Sequence, residues 1–293
     1  MIEGAGGRSR GSRAAVDRKR STAARAGRWG ERSLFAVAGL FALFLGLPVV
    51  ALVVRAVLDG SLSEALTTQV VLDALVLSLV TTSISLAISL ALGLPLAFVL
   101  ARRAFRGKSL LEAVVDLPIV LPPSVAGLAL LLVFGRRGLL SAPFEFLGIS
   151  VPFTTIAVIL AMTFVSAPFF IRSARNVVAG VDGDLEDAAR VDGASELQLF
   201  RSITIPLASA ALAAGLVMTW ARSLGEFGAT IMFAGNIQGR TQTLPLVVYS
   251  QFQGGDLDAS IAAAAILVLA AFGVLVAVRV FHWGRIIDAR GLA

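Results

Sequence analysis

The sequence predicts an all-α polytopic membrane protein with six transmembrane helices, and three observations carry that prediction. Of its 293 residues 57% are hydrophobic and only 15% charged, with a mean hydropathy of +0.87. Soluble domains carry about 25% charged residues. Six apolar runs, at roughly 34–57, 70–101, 114–135, 153–174, 206–233 and 259–281, each come near or exceed the ~20 residues that a helix needs to cross a bilayer. Twenty of the 25 lysines and arginines fall in segments on one side of those runs, with Arg55, Arg136, Arg137 and Arg240 on the other and Arg222 inside a span. That asymmetry is the positive-inside bias, and it places both termini in the cytoplasm of a cell (plasma or inner) membrane.

The same numbers exclude other classes. An outer-membrane barrel lacks such long continuous apolar runs. The net charge of +6 follows topology, so it argues for no nucleic-acid partner. With no cysteine there is neither a disulfide nor a thiolate site, and the single histidine, His282, reads as interfacial at the end of the last span. No catalytic triad, metal-ligand cluster or paired acid and base is expected.

Taken in order, residues 1–33 are rich in Gly, Ser, Ala and Arg, with nine basic residues between Arg8 and Arg32, and read as a disordered basic tail attracted to anionic lipid. A cleaved signal peptide fits poorly, because its charged region and apolar run would both be too long. The second span is longer than a crossing needs, and Pro95 is placed to kink it. On it Ser78, Thr82, Ser85 and Ser89 recur on one helical face. Two readings stay open there, a hydroxyl stripe beside a polar pathway and close helix packing through small residues.

Gly107-Lys108-Ser109 resembles the end of a phosphate-binding loop. The first glycine of such a loop would fall at Arg102, however, and no strand precedes it. ATP and Mg are therefore expected on another subunit, with no cofactor bound by this chain.

The third span carries Pro118, Pro122 and Pro123, followed by Ser124. Prolines at that density leave unpaired carbonyls, so part of the span must be broken and buried against protein or a cavity, beside the pathway or as a simple kink. In the fifth span Arg222 and Glu226 stand four residues apart, with Gly225 and Gly228 beside the carboxylate. Charges at membrane depth should pair and face the bundle interior, as a gate or as a structural ion pair. Residues 235–249, rich in Gly, Asn and Pro, read as a surface or re-entrant element on the outer side. A domain of residues 34–285 would leave 286–293 as a short cytoplasmic tail.

One long charged stretch, Leu185–Pro206, separates the fourth and fifth spans. Asp184 with Asp187 makes a weak capping signal, and Ser195 with Gln198 a better one. Gly193 between them permits a left-handed bend. The expectation is a short helix, a bend, a second short helix and re-entry into the membrane at Pro206, with Ala188, Ala189 and Gly193 offered to a closely packing partner.

These residues resemble the EAA loop of ABC importer permeases. That pattern is Glu-Ala-Ala, three residues, Gly, nine residues, then Ile-x-Leu-Pro. Here Asp187-Ala188-Ala189, Gly193, Ile203 and Pro206 match the spacing, with Glu186 beside the acidic position and Ile205 where Leu is usual. Together with Asp116–Gly127, Leu224–Thr230 and Ala234–Pro245, the loop is similar to the molybdate branch of the molybdate/sulfate/tungstate importer permeases.

The resemblance covers roughly residues 34–285. It implies a type I importer permease whose coupling helix docks on a cytoplasmic ATPase. The assembly would hold two permease chains as a homodimer, two ATPase subunits and an external oxyanion-binding protein. No residue chemistry here separates molybdate from sulfate or tungstate. A secondary transporter would need several intramembrane carboxylates, and Glu226 is the only deep one.

Overall fold

A computed structural model describes residues 34–290, with side chains for residues 34–276. The basic tail and His282 lie outside what it describes. The described residues are helical, with turns between and no strand. The chain divides into two compact units, residues 1–54 and 55–293. In the first, the helix α1 (Leu34–Leu58) begins, 25 residues long and apolar enough to cross a membrane.

The second unit is built around two parallel helices, α3 (Gln69–Arg102) and α7 (Thr155–Ala179), after a single turn of helix α2 (Ser61–Ala65). At about 1.5 Å per residue, the 34 residues of α3 extend about 50 Å. That exceeds the roughly 30 Å hydrocarbon layer, so one end must project beyond it. Pro95 sits inside α3 without ending it. Thr154 opens α7 by accepting the Ala157 N–H.

Three apolar cores flank this pair. One joins α7 to α5 (Pro123–Phe134) and α11 (Gly228–Phe233) through Ala126, Leu130, Val158, Met162, Ala229 and Phe233. A second joins the start of α3 to α12 (Leu244–Gln253) and α13 (Leu257–Arg290) through Val71, Ala74, Leu244, Val247, Ala263 and Ile266. The third, at the opposite end, joins α3 and α7 to α10 (Ile205–Leu224) through Ala97, Leu100, Phe170, Ala174, Ala208 and Leu212.

Several expected boundaries move. The third span is two helices, α4 (Lys108–Val120) and α5, bent by 118°. Leu121 and Pro122 each precede a proline, which disfavours helical ψ at both, and both are extended, with ψ of 134° and 133°. The fifth span ends at Leu224 instead of 233, and α11 is a separate short helix beyond Gly225. The segment after it divides: residues 236–240 are exposed, whereas Thr241, Thr243, Leu244, Leu246 and Val247 are buried and α12 inserts among α3 and α13. A short α6 (Ser141–Phe146) links α5 to α7. Helix α13 continues to Arg290, into the expected C-terminal tail.

Candidate functional site: the coupling segment and the broken helices

The polar stretch folds as α8 (Gly183–Val191), a bend, α9 (Glu196–Leu199), a π turn over Phe200–Thr204, and then α10 without interruption. Asp182, two residues before the expected Asp184, caps α8 by accepting the Asp184 N–H at 3.0 Å. Gly193 takes the bend at φ +87°, in the left-handed region that suits glycine. Ser195 and Gln198 form the reciprocal capping box, with the Ser195 N–H donating to Gln198 Oε1 at 2.8 Å.

The second short helix runs through Pro206 into α10 without a break. A proline inside a helix removes one N–H and crowds the carbonyl four residues back, here Ser202. The wider π turn lies over that carbonyl and carries the chain into α10.

Glu186 anchors this element and is 2% exposed. Its Oε1 pairs with Arg102 Nη2 at 2.8 Å and accepts the Thr204 hydroxyl at 2.9 Å. Arg102 Nη2 also donates to the Val181 carbonyl at 3.0 Å. One buried carboxylate thus ties α8 to the end of α3 and to the π turn.

Asp187 faces outward and pairs with Arg190 at 2.6 Å. Arg190 Nε in turn donates to Glu196 at 2.9 Å across the bend. These bonds, first that to Glu196, raise the Arg190 pKa above its ordinary value and keep it charged. Ala188 and Gly193 are exposed, Ala189 and Ile203 half-buried, and Pro206 exposed. Leu185 and Val191 are 50% and 88% exposed, which leaves an uncovered apolar face beside the alanines.

The sequence shows Arg102 only as a basic residue where a phosphate loop would need glycine, and nothing in it singles out Thr204. The available signal was a basic residue closing a helix longer than the membrane requires.

The second polar constellation lies where α10 ends. Arg222 Nη1 meets Glu226 Oε2 at 2.7 Å, and Glu226, 1% exposed, also accepts the Ala229 N–H through Oε1 at 2.8 Å. The carboxylate therefore closes α10 and opens α11. Beside it α11 crosses α5 at backbone distance. A Cβ on Gly228 would lie 2.8 Å from Pro123 Cβ and 3.1 Å from the Ser124 nitrogen. One on Gly127 would lie 2.6 Å from the Ala229 carbonyl oxygen. Gly225 makes no such approach, its nearest neighbour being a carbonyl of its own helix at 3.8 Å. Pro122 and Pro123 start α5 at this crossing.

Ser78, Thr82, Ser85 and Ser89 are all buried. Ser85 accepts the Thr163 hydroxyl at 3.1 Å, and Thr82 donates to the Met162 sulfur at 3.8 Å. Ser78 accepts the Leu244 N–H at 2.8 Å, which fixes the start of α12. Three of the four thus link α3 to α7 or α12, and Ser89 donates to the Ser85 carbonyl of its own helix. Among the described residues no cluster of three or more His, Asp or Glu could hold a metal ion.

Residues 93–288 match the family described as the binding-protein-dependent transport system inner membrane component, over more than half of the chain. The chain belongs to this family. The permease is 44% identical over 170 residues to the probable transport system permease protein NifC of Clostridium pasteurianum, a match spanning 58% of this chain and 59% of that protein. It is 45% identical over 158 residues to the molybdenum transport system permease protein ModB of Haemophilus influenzae, across 54% of this chain and 69% of ModB.

Its fold resembles a bacterial ABC transporter that imports the acidic polysaccharide alginate, with TM-score 0.68, 17% identity, and 94% and 99% of the two chains covered. It also resembles the MetNI methionine ABC transporter in an inward-facing conformation, with TM-score 0.59, 20% identity, and 76% and 96% covered. At these identities the likeness is one of fold, that of ABC importer permeases.

Proposed function

We propose that the permease is the transmembrane subunit of an ATP-driven importer for molybdate or a similar tetrahedral oxyanion. The anchored α8 is the coupling helix. Its exposed Leu185, Ala188 and Val191 face a cytoplasmic ATPase, and Glu186 carries the push to α3 and α10. This buried carboxylate, joining the exposed helix to two spanning helices, is the observation that carries the reading. A displacement of α8 cannot be absorbed locally when three elements share one buried ion pair.

In this reading two copies of the chain form the pathway, two ATPase subunits bind ATP and Mg, and an external binding protein delivers the anion. Nucleotide and the loaded binding protein each favour one of two states. Both termini are cytoplasmic, residues 1–33 form a basic tail and 34–285 the membrane domain. Pro122, Pro123, Ser124, Arg222, Gly225 and Glu226, at the break between helices, are the gate candidates.

Molybdate is favoured by the ModB relatives. Sulfate is the second reading, because a probable sulfate transport system permease of Chlorella vulgaris is 39% identical over 179 residues. ATPase activity of the complex reconstituted with its ATPase and binding protein tests both. Stimulation by molybdate and tungstate but not sulfate is expected. Stimulation by sulfate alone overturns the substrate, and gradient-driven uptake with no ATPase assembly overturns the coupling role.

A further inference from the structure

Four arginines belong to the end of the bundle remote from the coupling segment, and they are not alike. Arg55 is neutralised by Asp59 at 3.2 Å and Asp258 at 3.3 Å. The other three, Arg136, Arg137 and Arg240, line one cavity of about 570 Å³ and make no ion pair or side-chain hydrogen bond among the described residues. They come from segments a hundred residues apart, after α5 and after α11. Only the tertiary fold brings them together.

Three like charges around one concavity repel, and apolar walls from Leu131, Leu132, Phe153 and Ile237 concentrate their field instead of screening it. An adjoining cavity of about 380 Å³ shares Arg136 and adds Glu145, the one carboxylate nearby. Glu145 is not within ion-pair distance of any of the three arginines.

The cavity is also held in shape. The Thr155 hydroxyl donates to the Arg240 carbonyl at 2.9 Å, and the Phe153 N–H to the Phe233 carbonyl at 3.4 Å. Phe153, at φ +61°, is the only non-glycine residue with positive φ among the described residues, and its ring packs on Gly235. Strain of this kind persists only where the surroundings enforce it. Here the Thr155 bond and the Phe153 ring on Gly235 hold the loop that carries Arg240 against the start of α7.

We propose that this cavity is an entry site for a tetrahedral dianion on the outer face of the permease, a deepening that rests on the oxyanion reading above. Guanidinium forks match the oxygens of such an anion, and three of them more than offset its two negative charges without a further cation. The cavity is much larger than a four-oxygen anion, so the anion keeps part of its hydration. Binding is weak, exchangeable and salt-sensitive, which suits a site that must release its occupant inward.

The test is tungstate binding by equilibrium dialysis to the permease–ATPase complex in lipid nanodiscs, with no binding protein present. Saturable binding is expected, weakening with added salt, about tenfold weaker in the R136Q/R137Q/R240Q variant and only partly restored by the corresponding triple lysine variant, which keeps the charge without the forks. No saturable binding by a wild-type complex that imports oxyanion with its binding protein would overturn the site and leave the import reading standing. Saturable, arginine-dependent binding by a complete transporter that imports no oxyanion would overturn the import reading instead. If the glutamine variant binds tungstate as wild type but loses capture of the binding protein, the arginines form a protein-docking face and the proposal fails.

Discussion

At the scale of single residues, the fold depends on a few buried polar atoms that join several elements at once. Glu186 Oε1 holds Arg102 Nη2 and the Thr204 hydroxyl together. Removing one partner of a buried pair strands the other, at a cost of about 3 kcal/mol or more. Glu186→Ala is therefore expected to loosen α8 and to raise ATP hydrolysed per anion imported, whereas Glu186→Gln, which keeps two acceptor–donor contacts, should lose less. Wild-type coupling by the Glu186→Ala variant would refute the anchor.

Arg222 and Glu226 are not equivalent, because only Glu226 also holds the Ala229 N–H. Glu226→Ala should destabilise more than Arg222→Ala. The double change should cost less than the sum of the singles, by thermal unfolding in detergent. The spacing of this pair was readable in the sequence. Its capping of α11 was not, since that requires knowing that α10 stops at Leu224.

At the scale of elements, two glycine positions decide how helices meet. Gly193 bends the coupling segment at φ +87° with open space around it. A β-branched residue there is strained by roughly 1–2 kcal/mol, whereas asparagine is tolerated. Gly193→Val should leave the protein inserted yet uncouple hydrolysis from uptake, and Gly193→Asn should not. Full uptake by an inserted valine variant would remove the bend from the mechanism.

Gly127 lies within van der Waals contact of the α11 backbone, so Gly127→Ala must push α5 from α11 at about 1–3 kcal/mol. Gly225→Ala, with its nearest neighbour at 3.8 Å, should be near neutral. A larger melting shift for Gly225→Ala than for Gly127→Ala would contradict the crossing. Glycines at both positions are equally visible in sequence. Which one another backbone approaches is a matter of contact alone.

At the scale of the whole molecule, charge asymmetry predicts the orientation in the membrane. Reporter fusions test it: a phosphatase fused after Arg137 should be active, and one fused after Arg106 inactive. The reverse pattern would invert the topology and place the three-arginine cavity in the cytoplasm, where it could not receive an anion from outside.

What the sequence determined by itself is the membrane class, the helical content and the run of apolar segments, because those follow from composition and from a 20-residue length requirement local to each segment. The EAA-like spacing, the Ser195–Gln198 capping box and the left-handed Gly193 were legible for the same reason: each is set by neighbours within a few positions. The tertiary structure alone decided where α10 ends, that α12 is buried among α3 and α13, that Glu186 and not Asp187 is the buried acid, and that Arg136, Arg137 and Arg240 share a cavity. Each of these depends on contacts between residues far apart in the chain, whose partners compete in free energy with the local preferences that a sequence displays.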